Sequence, residues 1–522
     1  MSRGPDPRDA RIAELEAENA ALQAEVAALK ARLAVLEARH GQGSAGAPAS
    51  AASEPQDPAA LRAERDALKE QVAALQARLG QNSTNSSKPP SSDPPGVKRA
   101  PKKKRSGRKP GGQPGHPGHH RELLPPEKVT RVRDHYPPAC SHCHRHLPQG
   151  NGRQEVGEPT RHQVTTVPEI VPDVTEHRCH TLHCVCGHDT TATLPPDVPL
   201  GVLGPRLQAI IALFSGVYRL SKRDVEQAVA DLFGVQISLG TVSRTEQRVS
   251  TTLATPYQEA HDLIQDQGAL NVDETGWTEN RRRAWVWVAV AAAAGVAVFR
   301  IHWSRGKQAA HELLGRFSGY LMSDRWCAYE RHPLGCRQLC WAHLARHFLA
   351  MGEYSGEVGR IGKELTRLAR RMFRWWNQVR DGRMKRADFQ RKMKPLRSRV
   401  ERLILQGAHT SVRPVRGMCW QLDRLSAAMW TFVDVEGIEP TNNEAERALR
   451  RLVLWRKSSF GTHSERGSRF VERMMTVALS LRLQNRNVLD FLVEAMEASL
   501  KHQPLPSLIP RPDAHDHLPM AA

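Results

Sequence analysis

The sequence predicts a multidomain α+β protein in which helical and metal-binding segments precede one core of strands and helices. Three observations support this. Leucine heptads open the chain, five of the nine cysteines fall within residues 134–187, and apolar strands that run into acidic residues follow within 268–346. At about 150 residues per domain, the 522 residues correspond to roughly three or four domains.

The composition indicates a folded protein with a polyanionic partner. Hydrophobic residues make up 40% of the chain, which excludes a wholly disordered or fibrous protein. The formal charge of +20 favours nucleic acid or an acidic membrane surface. An odd number of cysteines, nine, fits a reducing compartment and a metal site better than a disulfide framework.

One apolar run raises the question of a membrane span. Residues 284–299 carry no polar side chain, but the run is shorter than the roughly 20 residues that cross a bilayer. It contains an Ala-Ala-Gly interruption, so two buried strands with a turn are predicted. Because the start of the chain also lacks the apolar region of a secretory signal, we expect a soluble cytoplasmic protein that is not bound to a membrane.

Residues 1–79 are predicted to be a coiled-coil dimerisation region. Between 11 and 39 the heptad positions a and d are filled, in chain order, by Ile12, Leu15, Asn19, Leu22, Val26, Leu29, Leu33 and Leu36. Leucine at d with β-branched residues at a favours two strands, and Asn19 fixes the register. Oppositely charged flanking pairs, such as Arg32 with Glu37, favour a parallel homodimer or a higher oligomer over a lone amphipathic helix. A weaker heptad follows in 61–79, with Arg65 at a core position.

Residues 80–122 are predicted to be a disordered basic linker. Residues 81–120 hold eight Pro, six Gly, six Ser, nine Lys or Arg and one acidic residue. Such a segment cannot bury a core. We expect sequence-independent contacts to DNA phosphates from the dense run 98–109, and chiefly from Lys102, Lys103, Lys104 and Arg105. The alternative is a solvated charge run.

Residues 123–200 are predicted to bind one structural zinc ion. Cys140 and Cys143 form a C-x-x-C pair, whereas Cys184 and Cys186 form an irregular C-x-C pair. Tetrahedral Zn²⁺ takes four sulfur or nitrogen ligands from two such pairs. The fourth ligand remains open on the sequence, since His183, Cys184 and Cys179 all lie close to Cys186.

Residues 201–260 are predicted to hold a helix-turn-helix. Ser221 is the expected N-cap of the first helix and Gly234 its stop, and a second helix follows after a short turn. Thr241, Arg244 and Arg248 are expected to face outward from the second helix and to contact DNA bases. The alternative is an ordinary pair of antiparallel helices.

Residues 265–480 are predicted to form the catalytic domain. Three strands, a helix and a fourth strand that ends in an acid follow one another, which is the order of a ribonuclease-H-like core. Asp273 lies in the first strand and Asp324 ends the fourth. A basic helical segment, about 345–435, is inserted, and 481–522 is a helical tail.

The third acid is expected on the helix that follows Pro440. Thr441 and Glu444 fit a capping box, which gives Glu444 a structural task. Glu446 is therefore the better candidate, although it could instead pair with Arg450. Three carboxylates suit Mg²⁺, which prefers oxygen ligands, and two such ions are the usual arrangement for phosphoryl transfer on DNA.

Seven motifs resemble the bacterial transposases of the insertion sequence 66 family, over residues 59–485. They are LGQNSTNSSKPPSSD, SGRKPGGQPGHPGH, VDETGW, SDRWCAYE, LCWAHLARHF, TNNEAERALR and WRKSSFGTHSERG. The resemblance implies a coiled region, a zinc segment, a helix-turn-helix and a DDE catalytic domain with a helical insertion. It assigns the catalytic acids to Asp273, Asp324 and Glu446, the last within the N-N-x-x-E-R pattern. It also puts His183 where the family commonly has the first cysteine of the second zinc pair.

These observations predict a transposase. It would bind terminal inverted repeats and target DNA, cleave and join strands with two Mg²⁺ ions, and associate with the nucleoid and with accessory transposition proteins. Two alternatives remain: another ribonuclease-H-like nuclease, and a non-catalytic zinc-containing DNA-binding regulator. A regulator needs no acids at strand ends, and a simple nuclease has less use for a dimerising coil.

Overall fold

The computed structural model describes residues 7–42, 58–80, 122–199 and 201–510. Residue contacts divide the chain into two compact units, residues 100–173 and the remainder. The four basic residues predicted to bind phosphate, Lys102, Lys103, Lys104 and Arg105, lie outside the described residues. Within the described ranges, every helix is too short or too polar to cross a lipid bilayer.

Two long helices, α1 (Pro7–Gln42) and α2 (Pro58–Leu79), pack against each other. Val26 of α1 and Leu68 and Val72 of α2 are buried, and all three occupy predicted a or d positions. At these three positions the heptad pattern coincides with buried apolar side chains. What covers the seam of α1 in this structure is the second heptad segment of the same chain.

Charged pairs flank this seam. Arg32 binds Glu64 at 3.2 Å and Glu37 binds Lys69 at 2.8 Å. Both pairs join residues 32 positions apart, so α1 and α2 run in the same direction. The heptad pattern predicts that Arg32 pairs with Glu37 of a partner chain. In this structure Arg32 and Glu37 each bind a residue of α2 in the same chain instead.

A small hairpin, β1 (Thr181–His183) with β2 (Asp189–Thr191), precedes the first helices of the core. Four helices follow: α3 (Pro205–Ala212), α4 (Lys222–Phe233), α5 (Leu239–Thr252) and α6 (Ala254–Gln265). Ser221 caps α4 in a capping box with Asp224, and Gly234 ends it at φ +66°. The predicted start and stop of this helix are confirmed.

A five-stranded sheet with strand order β5-β4-β3-β6-β7 forms the centre of the core. Its elements are β3 (Ala269–Glu279), β4 (Arg282–Ala291), β5 (Val296–His302), α7 (Lys307–Leu314), β6 (Tyr320–Ser323) and β7 (Arg337–Leu339). β3 pairs antiparallel with β4 and parallel with β6, so it is the central strand. The apolar run 284–299 forms β4 and β5 with a turn at Gly295, as predicted. The short strand β7 was not predicted.

Five helices fill the segment predicted as a helical insertion: α8 (Trp341–Met351), α9 (Gly356–Arg380), α10 (Arg386–Ala408), α11 (Arg413–Arg424) and α12 (Thr431–Asp434). They share a core of their own, in which Trp376 packs against Phe389 and Phe432. Met322 of β6 and Leu339 of β7 join that core. The insertion is therefore packed directly against the parallel half of the sheet.

The last described helices are α13 (Asn443–Ser459), α14 (Glu465–Leu483) and α15 (Val488–Leu500). Helix α13 packs on β3 and β4, and α14 packs along β5. Three outward N–H groups of β5 donate to α14 side chains, in the pairs Ala297–Ser480, Phe299–Thr476 and Ile301–Glu472. Because β5 is an edge strand, these bonds occupy donors that could otherwise pair with another chain.

Candidate active site

Asp273 lies within β3, and Asp324 directly follows the last residue of the parallel neighbour β6. The register of β3 and β6 pairs Asn271 with Met322, and each aspartate comes two residues after its member of that pair. Side chains two residues apart on a strand point to the same face. The register therefore places Asp273 of the central strand beside the end of β6, which Asp324 follows.

Backbone N–H groups orient both carboxylates. The N–H of Glu274 donates to Asp273 Oδ1 at 2.9 Å, and the N–H of Trp326 donates to Asp324 Oδ1 at 2.8 Å. Each aspartate keeps its second oxygen for another partner. Both residues are half-buried, so the site is open on one side.

Glu446 reaches the same place from α13. Asn442 immediately precedes this helix and is completely buried. Its side-chain N–H group donates to the carbonyl of Val272 at 2.6 Å, and its side-chain oxygen accepts from Asn271 Nδ2 at 3.2 Å. These bonds fasten the start of the helix to β3 beside Asp273, and Glu446 lies in the first turn.

The predicted capping box of this helix is wrong. Helix α13 begins at Asn443, so Asn442 rather than Thr441 is the capping residue, and its side chain makes no capping hydrogen bond. That side chain is hydrogen-bonded to β3 instead. Glu444 forms an ion pair with Arg447 on the same helix. Glu446 contacts His343 at 3.2 Å and Arg346 at 3.8 Å, instead of the ion pair with Arg450 that the sequence offered as an alternative.

The other acids of the site act electrostatically on Asp273. Burial raises the pKa of Asp273 well above its ordinary value, and the negative charges of Glu274, Asp324 and Glu446 raise it further. The hydrogen bond from the Glu274 N–H opposes this shift only in part. Carboxylates that destabilise one another's charged forms offer an all-oxygen ligand set, which suits a hard divalent cation such as Mg²⁺.

Glu274 serves a different purpose from its neighbour. Its side chain is fully buried, and it accepts hydrogen bonds from Arg305 Nε at 2.9 Å and from the Tyr329 hydroxyl at 2.5 Å. Burial and the charge of Asp324 raise the pKa of Glu274, while its two partners lower it. Arg305 also lies 4.1 Å over the ring of Trp326. Through Tyr329 and Arg305, Glu274 therefore anchors the segment after Asp324, in which the Trp326 N–H donates to Asp324.

Sequence reasoning gave no role to Cys340 and His343, which contact Glu446. Cys340 lies between β7 and α8, and His343 is in the first turn of α8. The sulfur of Cys340 is 4.0 Å from Glu446 Oε1 and accepts the Asn442 N–H at 3.3 Å. Burial raises the pKa of Cys340 to about 11. The Cys-x-x-His spacing within LCWAHLARHF was the signal available in the sequence.

Two further basic residues border the acids. Arg325 follows Asp324 directly and is half-buried; it contacts Gln421 and His347 Nε2, the latter at 3.2 Å. Burial and then the charge of Arg325 lower the pKa of His347 to about 3, so this imidazole is neutral. Together with Arg346, Arg325 brings positive charge to the rim of an acidic site.

The predicted base-reading residues lie on α5. Arg244 and Arg248 are exposed and Thr241 is half-buried, its hydroxyl 3.0 Å from that of Ser238. Arg248 donates to Gln208 of α3 at 3.3 Å. Arg244 donates to the Thr241 hydroxyl at 3.3 Å.

The predicted zinc ligands lie in two turns, one in each unit of the chain. Cys140 and Cys143 share a turn in which the Cys143 N–H lowers the pKa of the Cys140 thiol. Cys184 and Cys186 lie in the turn of the β1–β2 hairpin, where the Cys186 N–H does the same for Cys184. All nine cysteines are free thiols. His183, an alternative ligand, binds Asp189 at 2.6 Å.

Comparison with known protein families gives two matches. A family model described as "Transposase IS66 family" matches residues 201–469, just over half of the chain. A model described as "Family of unknown function (DUF6444)" matches residues 2–122. The three acids lie within the first match, and the predicted zinc cysteines lie in neither. No curated protein matches the chain.

Proposed function

Because this chain belongs to the Transposase IS66 family, we propose that it binds the ends of an insertion sequence and catalyses Mg²⁺-dependent DNA cleavage and strand transfer. The observation that carries the proposal is the approach of Asp273, Asp324 and Glu446 to one another where β6 ends beside the central strand β3. Packing three mutually repelling carboxylates together costs stability. A DNA-binding regulator without catalytic activity would gain nothing from it.

The core is best assigned to the ribonuclease-H-like class. Three antiparallel strands, a helix and a fourth strand parallel to the first support this assignment, as does the strand order β5-β4-β3-β6-β7. The acids then come from the central strand, from its parallel neighbour and from a helix that packs on both β3 and β4.

Asp273, Asp324 and Glu446 are the residues that would hold two Mg²⁺ ions. When bound between carboxylates, such ions activate the attacking oxygen and stabilise the leaving oxygen in phosphoryl transfer. The chain's own contribution is to fix the ligands. The N–H groups of Glu274 and Trp326 each hold one oxygen of an aspartate, and Asn442 fixes the helix that carries Glu446.

Positive charge beside the acids fits a DNA backbone. Arg346 lies 3.8 Å from Glu446, is partly exposed and can turn toward a phosphate. Further away, Arg281, Arg282 and Arg283 are exposed at the β3–β4 turn, and none of them has an acidic partner within 4 Å among the described residues. We assign these arginines to sequence-independent phosphate contacts.

Recognition of the element's ends is assigned to α5. Arg244 is exposed near the N-terminal end of this helix, the part that reads base edges in a helix-turn-helix, with Thr241 and Arg248 beside it. The basic run at Lys102, Lys103, Lys104 and Arg105 would add salt-sensitive binding.

Two further parts of the proposal concern assembly. Structural Zn²⁺ binding is proposed for the Cys140–Cys143 turn and for the Cys184–Cys186 turn, because a backbone N–H in each turn favours a thiolate. A homodimer through α1 would require the partner's helix to replace α2 of the same chain on the leucine-rich seam. A strand-transfer enzyme must hold two DNA ends together, and a dimer supplies this.

A cleavage and joining assay on a duplex that carries the element's end tests the proposal. With Mg²⁺, the wild-type chain should cleave at the end and join the product to a second duplex, whereas Asp273→Asn should only bind. Asp266→Asn, an exposed acid paired with Arg316 outside the site, is the matched control and should behave as wild type. Cleavage without joining would favour a nuclease, and end-specific binding without cleavage would favour a regulator.

A further inference from the structure

Three side chains of different chemistry meet beside the aspartates. Cys340 Sγ, His343 Nε2 and a carboxylate oxygen of Glu446 all lie within 4.8 Å of one another. The Glu446 oxygen is 3.2 Å from the His343 nitrogen and 4.0 Å from the Cys340 sulfur. Among the described residues, this is the one group of at least three such ligand atoms at that spacing.

This ligand set does not suit Mg²⁺, which takes oxygen ligands. Sulfur, imidazole nitrogen and carboxylate oxygen together suit Zn²⁺ and related borderline-soft ions. Zinc–ligand distances of about 2.0–2.3 Å put neighbouring ligands of a tetrahedral site roughly 3.3–3.8 Å apart. The His343–Glu446 and Cys340–Glu446 distances differ from that range by a few tenths of an ångström, which small side-chain rotations can supply.

The protein framework already holds the sulfur in place. Cys340 is 2% exposed, and its own N–H donates to Ser323 O at 2.9 Å. The Asn442 N–H donates to its sulfur at 3.3 Å, a bond that stabilises a thiolate ligand. His343 and Glu446 are half-buried, so an ion can enter from the open side of the site. The nearby Arg346 opposes a cation, but its side chain is 36% exposed and its Nε donates to the Ala342 carbonyl of its own helix at 3.4 Å, so its charged end can turn away from an ion.

We infer that Cys340, His343 and Glu446 form a second cation site, selective for Zn²⁺-like ions, that competes with the aspartates for Glu446. A carboxylate that serves Zn²⁺ beside Cys340 cannot at the same time complete a Mg²⁺ site with Asp273 and Asp324. Zn²⁺ at this position therefore inhibits Mg²⁺-dependent chemistry. The binding site stands on geometry alone; the inhibition rests on the proposed function.

Titration of the full-length protein with Co²⁺ tests the binding site without DNA. Cobalt bound to a thiolate absorbs in the near ultraviolet, and it replaces Zn²⁺ in such sites. We compare wild type with Cys340→Ser, which retains an acceptor for the Asn442 N–H, and with Cys336→Ser as the matched control. All three proteins keep Cys140, Cys143, Cys184 and Cys186, so any signal from those cysteines cancels in the difference.

Wild type and Cys336→Ser should bind one more equivalent of Co²⁺, with more thiolate absorption, than Cys340→Ser. His343→Gln should lower the affinity for that extra Co²⁺ ion at least roughly tenfold. Equal stoichiometry and equal spectra in wild type and a folded Cys340→Ser protein, with the same melting temperature, would overturn the site.

The inhibition has its own test. In a Mg²⁺-supported cleavage assay, Cys340→Ser should need at least about ten times more Zn²⁺ than wild type for half inhibition. Equal sensitivity would overturn the competition for Glu446. Should the protein cleave no DNA at all, the proposed function fails, and the Co²⁺ titration still decides whether the site exists.

Discussion

The side-chain N–H group of Asn442 donates to the carbonyl of Val272 at 2.6 Å, and Val272 is the residue that precedes Asp273. A single buried amide thus joins the helix that carries Glu446 to the strand that carries the first acid. The two residues are 170 positions apart in the chain. We therefore expect the spacing of the acids to depend on this contact.

Asn442→Ala should therefore loosen both the core and the site. The substitution leaves the Val272 carbonyl and the Asn271 side chain without their partner in a buried place, which costs about 1–3 kcal/mol. The cleavage rate should fall by more than the loss of folding stability alone explains, because the helix that carries Glu446 loses its hydrogen bond to β3. Urea denaturation and the cleavage assay measure the two effects. Asn443→Ala, next in sequence but exposed, is the control; equal unfolding midpoints for both variants would contradict the anchor.

Arg305→Ala should destabilise the fold by about 3 kcal/mol, because it leaves the buried Glu274 carboxylate with a single hydrogen-bond donor, Tyr329. Adding Glu274→Gln removes the uncompensated charge, so the double variant should recover most of the loss. A double-mutant cycle on the free energy of unfolding measures this coupling. Arg283→Ala is the surface control. Additive effects of the two substitutions would show that the pair is not coupled.

Stability should depend on pH through Glu472. Burial raises the pKa of Glu472 to about 7 from its ordinary 4.5, although Arg469, the Ile301 N–H, Arg300 and Arg473 all lower it. The folded state therefore holds a proton that the unfolded chain releases. This stabilisation is fully present below pH 4.5 and is lost as pH rises through 7.

Glu472→Gln removes this titration and keeps an oxygen for the Ile301 N–H. As the pH rises from about 5 to about 8, the melting temperature of Glu472→Gln should consequently fall less than that of wild type. Glu465→Gln, on the same helix and exposed, provides the comparison. Parallel pH profiles for wild type and Glu472→Gln would contradict the raised pKa.

Arg244→Ala should reduce the preference for the element's ends by about 1–3 kcal/mol and leave binding to unrelated DNA nearly unchanged. The reason is its exposure on α5, the helix to which we assign the base contacts. Competition binding with end-containing and scrambled duplexes measures the preference. Arg223→Ala, on the preceding helix, is the control. An equal loss of affinity for both duplexes would reassign Arg244 to phosphate contact.

Much of the core could be predicted from the sequence because its strands are unusually apolar. The run 284–299 is buried on both faces of the sheet, so its interruption at Gly295 indicated two strands. Asp273 and Asp324 were visible as acids at the ends of such runs. Strand β7 could not be predicted, since its three residues include the buried polar side chains Arg337 and Gln338, which hide the pattern.

The contacts around Glu446 depend on relationships that local patterns do not contain. Thr441 and Glu444 have the spacing of a capping box, but the tertiary contact of Asn442 with β3 determines where the helix starts. His343 and Cys340 approach Glu446 only because two distant helix starts meet at the end of the sheet. Likewise, the heptads of α1 and α2 specify an apolar seam but not which helix covers it.

The central claim is that Glu446, and not Glu444, completes the set of acids. Both residues lie in the first turn of α13. The charge of Glu446 raises the pKa of Asp273, whereas Glu444 forms an ion pair with Arg447. The direct measurement is cleavage of an end-containing duplex with Mg²⁺ by Glu446→Gln and Glu444→Gln, at matched DNA binding. We predict that Glu446→Gln loses at least about a thousandfold in cleavage rate, while Glu444→Gln stays within a few fold of wild type. Cleavage at the wild-type rate by Glu446→Gln would contradict the account.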